Sequence, residues 1–271
     1  MPQSSPTPPD RRYVKENTMQ MNDNTILITG GASGIGRGLA EAFHKLGNTV
    51  IIAGRRKALL DEVVKANPGM HAVALDIANA ASIKRVAAQV TQDFPNLNVL
   101  INNAGIMPFD DAAGEIDEDT MLSTVTTNLL GPIRMSSALL GHLKQQPRAT
   151  IVNNTSVLAY VPLASTAVYS ATKAALHSYT LSQRFMLRDT SVTLQEIAPP
   201  WVNTDLIHKG DDPRAMPLED FIAQTMAGLA TDKEEVVVES AQPMRDNAGP
   251  GEHKLVNEFN AYLAANPIPT H

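Results

Sequence analysis

Short apolar runs alternate with longer amphipathic ones along most of the chain. Runs at 25–29, 49–53, 71–75, 99–101, 149–152 and 191–197 are rich in Val and Ile and bounded by Gly, Asn, Asp or Pro, as strands are. Between them, 35–46, 57–66, 80–93, 117–144 and 169–187 carry apolar residues at helical spacing. Strands separated by helices mean βαβ units, and right-handed crossovers then build a parallel sheet. Near-continuous apolar strands such as Thr49-Val50-Ile51-Ile52-Ala53 fit a sheet covered on both faces. Residues 24–238 hold no internal repeat and no Gly/Ser-rich linker. The expected fold is α/β: a single doubly wound, Rossmann-type domain over 23–238, its parallel sheet flanked by helices.

Both ends depart from this rhythm. Residues 1–22 contain Pro2, Pro6, Pro8 and Pro9, then a charged stretch, and no apolar core of a secretory signal. They read as a flexible, solvated N-terminal arm, or as an upstream start ahead of Met19 or Met21, and the expected location is cytoplasmic. After a helix near 218–229 and an edge strand at 236–238, residues 243–251 read as loop. Leu255, Val256, Phe259, Tyr262 and Leu263 then form one apolar helical stripe. This extension, 239–271, must pack on the body of the chain or on a second subunit.

Composition narrows the classes. Of 271 residues, 43% are hydrophobic and 18% charged, which fits a globular chain and excludes wholesale disorder. The absence of cysteine excludes disulfides, thiolate metal sites and cysteine nucleophiles. A net charge of −6 argues against nucleic acid as the main partner. The apolar runs are too short to span a bilayer, so no membrane partner is expected. None of the seven histidines stands at ligand spacing beside a carboxylate, so no metal is expected.

The first strand ends in Thr29-Gly30-Gly31-Ala32-Ser33-Gly34-Ile35-Gly36, and a helix follows directly. Such a turn lets backbone approach a pyrophosphate and aims amide N–H groups and the helix dipole at it. It equally fits a tight turn with no ligand. Asp76 and Ile77 follow the third strand, where an adenine could lie, and Asn102-Asn103-Ala104-Gly105 ends the fourth. Together these positions mark the carboxyl rim of the sheet, where α/β folds bind ligands.

Tyr169 and Lys173 are four apart at the start of a helix and so share a face. A phenol titrates near 10, and a neighbouring ammonium is expected to lower that value and suit Tyr169 to proton transfer. Ser156, just past the fifth strand, offers a hydroxyl to a substrate oxygen, and Asn128 a hold on a water leading towards Lys173. Tyr-x-x-x-Lys alone is also a common helix-surface pair.

With these residues in place, the chain resembles the short-chain dehydrogenase/reductase family from about Thr25 to Asp205. Thr29 to Gly36 matches the family's cofactor turn and Asn102 to Gly105 its Asn-Asn-Ala-Gly element. Asn128, Ser156, Tyr169 and Lys173 match its catalytic tetrad. The segment Pro199-Pro200-Trp201-Val202-Asn203-Thr204-Asp205 is similar to the family's Pro-Gly-x-Val-x-Thr, with Pro200 in place of Gly. Within the family the chain is similar to a bacterial branch labelled for D-alanine esterification of teichoic acids, a label that names no activity.

The resemblance implies hydride transfer between a nicotinamide and a carbonyl or secondary alcohol. Tyr169 moves the proton, Ser156 polarises the substrate oxygen, Lys173 tunes Tyr169 and holds the ribose, and Asn128 supports the relay. Cofactor contacts are implied for Gly30, Ser33, Gly34, Ile35, Gly36, Asp76, Ile77, Asn103, Ala104, Gly105, Pro199, Val202 and Thr204, besides Tyr169 and Lys173. Arg55 and Arg56 end the second strand where an acid would select NAD, and a guanidinium grips a 2′-phosphate. NADP(H) is therefore the expected cofactor and NAD(H) the alternative. Met107 and Trp201 are placed on the substrate side. With Leu158, Val161, Pro162 and Leu163 they suggest apolar substituents, under a lid at about 205–218 that contains His208. The family pairs its long helices between subunits, and 117–144 and 169–187 carry more apolar positions than one sheet face needs. A homodimer or homotetramer follows. An epimerase, a methyltransferase and a dinucleotide-binding regulator without turnover are the other readings of such a turn.

Overall fold

Among the described residues, seven parallel strands form one sheet, ordered 3-2-1-4-5-6-7 by their place along the chain. They are β1 Thr25–Thr29, β2 Thr49–Gly54, β3 His71–Ala74, β4 Leu97–Asn102, β5 Ala149–Asn154, β6 Val192–Ile197 and β7 Glu235–Val236. The computed structural model describes residues 18–207, 212–247 and 249–268. Helices α1 (Gly34–Lys45), α2 (Lys57–Ala66), α3 (Ala80–Asp93), α4 (Glu118–Val125), α5 (Gly131–Leu143), α6 (Ala167–Leu187) and α7 (Leu218–Leu229) alternate with the strands. A short α8 (Gln242–Arg245) and α9 (Glu252–Ala265) complete the chain. The chain steps outward from β1 to β3, then returns to place β4 on the other side of β1. That reversal opens a crevice at the carboxyl ends of β1 and β4.

The strand pattern puts alternate residues on opposite faces. Ile26 and Ile28 of β1 join Leu39 and Phe43 of α1 and Phe221 of α7 in one core layer. Leu27 joins Ile83 and Val86 of α3 and Met135 and Leu139 of α5 in the other. Both layers are closed to water, which is why β1 and β2 carry apolar residues on both faces. Two helices start on side-chain caps: Asn79 accepts from the Ser82 N–H, and Asp117 from the Thr120 N–H.

Four expectations from the sequence need correction. The stretch 117–144 is not one regular helix: α4 and α5 are joined by a π-helical turn, Thr126–Leu130. Pro132 is the cause, because it has no N–H for the Asn128 carbonyl and its ring crowds that carbonyl. The N-terminal arm is not solvated throughout, since Met19 is buried against the core while residues 1–17 lie outside the described part. Residues 243–251 are not all loop, because α8 covers 242–245 with Pro243 in its first turn, where a missing N–H is harmless. The edge strand lies at Glu235–Val236 rather than 236–238. Of the lid, residues 208–211, His208 among them, lie outside the described part.

Candidate active site

The glycine turn leaves β1 and enters α1 through two left-handed positions, Gly30 (φ +68°) and Gly34 (φ +52°). A side chain would be strained at both. Gly36 answers a different demand: a Cβ there would stand 2.3 Å from the Gly30 carbonyl and 2.4 Å from Asn103 Nδ2. The turn is thereby folded tightly against the end of β4. Gly36 does not face the cavity, whereas Gly30, Ser33, Gly34 and Ile35 do.

Hydrogen bonds tie the strand ends beneath this turn. Thr29 Oγ1 accepts from the Asn103 and Ala104 amides at 3.0 and 3.1 Å. Asn103 Nδ2 donates to the Thr29 carbonyl at 3.1 Å, and its Oδ1 accepts from Asn154 at 2.8 Å. The Asn103 side chain is thus spent on joining β1, β4 and β5, and Asn103, Ala104 and Gly105 line the cavity. Asp76 turns its carboxylate back to the Ala78 amide at 3.1 Å while lining the same cavity beside Ile77.

Ser156, Tyr169 and Lys173 converge on one wall and are each at most 6% exposed. Asp110, in the loop after β4, accepts from the first two amides of α6, Ala167 and Val168, at 2.9 Å each. A carboxylate there suits a helix N-terminus and fixes where Tyr169 begins its face. Ser156 Oγ accepts from the Leu158 amide at 3.1 Å. Lys173 Nζ donates to the Asn154 carbonyl at 2.8 Å and stands 5.5 Å from the Tyr169 ring centre. Burial pushes the Tyr169 phenol up to about 12, opposed by the Ser156 hydroxyl. The expected lowering of Tyr169 by Lys173 is therefore not seen: desolvation dominates, and the same burial depresses Lys173 to about 8 against the pull of Glu196. Asn128, within the π turn, exchanges two bonds with the Ile106 backbone, at 2.9 and 2.8 Å, and reaches Thr172 at 3.4 Å. It supports the wall from behind and does not line it.

Ser156, Tyr169 and Lys173, the glycine turn and Asn103 to Gly105 open into one cavity of about 1410 Å³. Pockets for a single drug-sized ligand are roughly 300–1,000 Å³, so a dinucleotide and a second molecule both have room. Arg55 and Arg56 lie at its exposed far end, and Arg56 donates to Ser33 Oγ at 2.8 Å. At the near end, Pro199, Val202 and Thr204 line it, with Thr204 packed against Gly34.

A family model for short chain dehydrogenases matches residues 24–214. The chain belongs to the short-chain dehydrogenase family. A Bacillus subtilis protein named as the uncharacterized oxidoreductase DltE is 39% identical over 250 residues, covering 89% of this chain and 98% of its own. An NADP-dependent 3-hydroxy acid dehydrogenase of Schizosaccharomyces pombe is 28% identical over 254 residues, 86% of this chain and 97% of its own. A short chain dehydrogenase from Burkholderia cenocepacia, solved in complex with NADP, superposes with a TM-score of 0.76 at 26% identity. It covers 93% of this chain and 100% of that one.

Two further features lie beside these groups. The C-terminal extension folds onto its own body and lines the cavity beside Tyr169. Phe259, Leu263 and Ile268 pack with Met107, Leu158, Leu163 and Tyr169. Arg214, stacked 5.0 Å from the Trp201 ring, donates to the Asn266 and Pro267 carbonyls at 2.6 and 3.2 Å. Behind Lys173, His177, Glu196 and Glu235 bring one ligand-type atom each within 4.8 Å of one another. Sequence spacing missed this cluster because α6, β6 and β7 meet only in the fold. Each member is bonded within the protein: Glu196 to His177 and Thr155, Glu235 to Arg245 and Tyr160. The described part has no helix long and apolar enough to cross a membrane.

Proposed function

We propose that the chain transfers a hydride between NADP(H) and a carbonyl or secondary alcohol with apolar substituents. The observation that carries this is the convergence of Ser156, Tyr169 and Lys173 on the cavity that the glycine turn also lines. The left-handed glycines of the turn leave its cavity side to backbone, and the close approach at Gly36 holds the turn folded against β4, which fits a pyrophosphate. Gly30, Ser33, Gly34 and Ile35 would hold it, with Asp76 and Ile77 at the adenine and Pro199, Val202 and Thr204 at the nicotinamide. When bound, the nicotinamide supplies or accepts the hydride.

The chain's own residues handle the proton and the geometry. With its phenol held near 12, Tyr169 is protonated at neutral pH and is a donor to the oxygen of a carbonyl being reduced. The C=O π bond becomes a C–H and an O–H bond, and the phenolate left behind regains its proton through the Lys173 side. Ser156 orients the substrate oxygen, and Lys173 keeps a positive charge beside the phenolate as it forms. Asn128 fixes the loop after β4 at Ile106, which lines the cavity with them. Trp201, Met107, Leu158 and the α9 residues present apolar surface to the substituents. Arg214 is engaged by Asp212 at 2.7 Å, which favours neutral carbonyls over carboxylates.

The test is oxidation of NADPH with a panel of apolar ketones and aldehydes, 3-oxo acids and sugars. Turnover is expected on the apolar carbonyls, and Tyr169→Phe is expected to lower kcat by about 100-fold or more while NADPH still binds. No turnover on any carbonyl, or near wild-type rates in Tyr169→Phe, overturns the reading.

A further inference from the structure

Glu196 on β6 is fully buried, at 0% exposure, and lines no part of the cavity. A carboxylate in such a place is retained only with partners, and its partners come from several elements. Thr155 donates its hydroxyl to Oε1 at 2.6 Å. His177 Nδ1 stands 2.9 Å from both oxygens. Tyr160 reaches Oε1 at 3.5 Å and also donates to Glu235, which Arg245 pairs at 2.7 Å. The titratable and charged groups facing Glu196 are thus Lys173 and His177 from α6, Tyr160 from the turn after β5, Glu235 from β7 and Arg245 from α8.

Two of these links run directly to the reacting groups. Thr155 stands between Asn154, whose carbonyl receives the Lys173 ammonium at 2.8 Å, and Ser156. His177 is one helical turn beyond Lys173 and on the same face. One carboxylate therefore grips both the strand end that carries Ser156 and the helix that carries Tyr169 and Lys173. Its charge also acts on Lys173: burial drives the ammonium towards its neutral form, and Glu196 opposes that.

We propose that Glu196 is a positioning residue for the reaction. It ties the strand end carrying Ser156 to the helix turn after Lys173 and sets a buried negative charge behind the Lys173 ammonium. This rests on the assignment of Tyr169 and Lys173 to proton transfer.

The experiment is the pH dependence of kcat for carbonyl reduction with NADPH in wild type, Glu196→Gln and Glu196→Asp, with folding checked by circular dichroism and thermal melting. Wild type is expected to lose activity above about 8, as Lys173 gives up its charge. Glu196→Gln keeps the shape but not the charge, and should move that basic limb about one unit lower. Glu196→Asp, whose charge is withdrawn by one methylene, should move it the same way by less. KM for the carbonyl should change little in either.

A basic limb unmoved in folded Glu196→Gln overturns the proposal, even if kcat and melting temperature fall. If Glu196→Gln does not fold, Glu196→Asp decides alone, since a merely structural residue would lower kcat without moving the limb. Activity lost to EDTA and restored by Zn²⁺ or Mn²⁺ would assign the cluster to a metal and overturn it as well. Wild type that turns over no carbonyl sinks the proposed function instead, so the two failures are distinct.

Discussion

Lys173 shows how the site sets function against stability. Its ammonium is buried, and its affinity for a proton falls from the ordinary 10.5 to about 8 on folding. At neutral pH the charge is therefore carried into the fold at a cost of up to about 3 kcal/mol. The unfolded chain binds more protons than the native one between about 8 and 10.5, so this cost disappears as pH rises through that window. Lys173→Met is expected to abolish turnover yet raise the unfolding free energy by about 1–3 kcal/mol at pH 7. Denaturation at pH 7 and near pH 10 checks this, since the gain should shrink at the higher pH. A variant less stable at pH 7 would contradict the sign. At the other end of the cavity, Arg56 is engaged with Ser33, while Arg55 is exposed and lines the cavity. Arg55→Ala should weaken NADPH by about 10- to 100-fold, the range for hydrogen bonds to a charged group, and leave NADH nearly unchanged. Comparison of kcat/KM for the two cofactors decides it; equal loss of both would mean that Arg55 does not read the phosphate.

At the scale of elements, the tail is the part most open to manipulation. Arg214 joins the lid region to the carbonyls of Asn266 and Pro267, and through them holds Phe259, Leu263 and Ile268 over Tyr169. Arg214→Ala should raise KM for a bulky apolar carbonyl by about 10-fold or more, from the lost charge-assisted contacts to the tail, and change KM for a small ketone far less. Equal effects on both substrates would show that the tail is not a wall of the pocket. This tail was legible in sequence as a helix with one apolar stripe, but nothing in that stripe said which surface it covers. β1, β2, α2, α3 and α7 were legible because each has one period and clear Gly, Pro or Asn boundaries. The π turn was signalled by Pro132 inside the long helical pattern, yet periodicity does not report which carbonyl a proline frees. Tyr169, Lys173, Ser156 and the glycine turn could be placed from local spacing. The Glu196 cluster and the Asp110 cap on α6 could not, because both are contacts between distant segments. The direction of the Tyr169 shift was misjudged for the same reason: sequence shows the neighbouring charge and hides the burial.

On the whole molecule, the surface retains an apolar face that the fold itself does not cover. α4 and α6 pack against each other; near the end of α6 Leu181, Phe185 and Met186 are 49%, 63% and 73% exposed, and on α4 Leu122 is 51% exposed. Burying such residues in a self-complementary contact is what a two-fold interface does, with the same patch supplied by each copy. Each large side chain removed from water there contributes about 1.5–3 kcal/mol before the cost of association. α6 also carries Tyr169 and Lys173 near its other end, so an interface along it would stiffen the helix that holds the reacting groups. The expected state is a homodimer or homotetramer built on this face, and Leu181→Glu/Phe185→Glu, which places buried charge in it, should lower the assembly by at least one step. Light scattering at micromolar concentration reads the mass, and a melting temperature that rises with protein concentration in wild type alone would accompany it. A wild type that remains monomeric, or a double variant with unchanged mass, would leave the exposed face without a role in assembly.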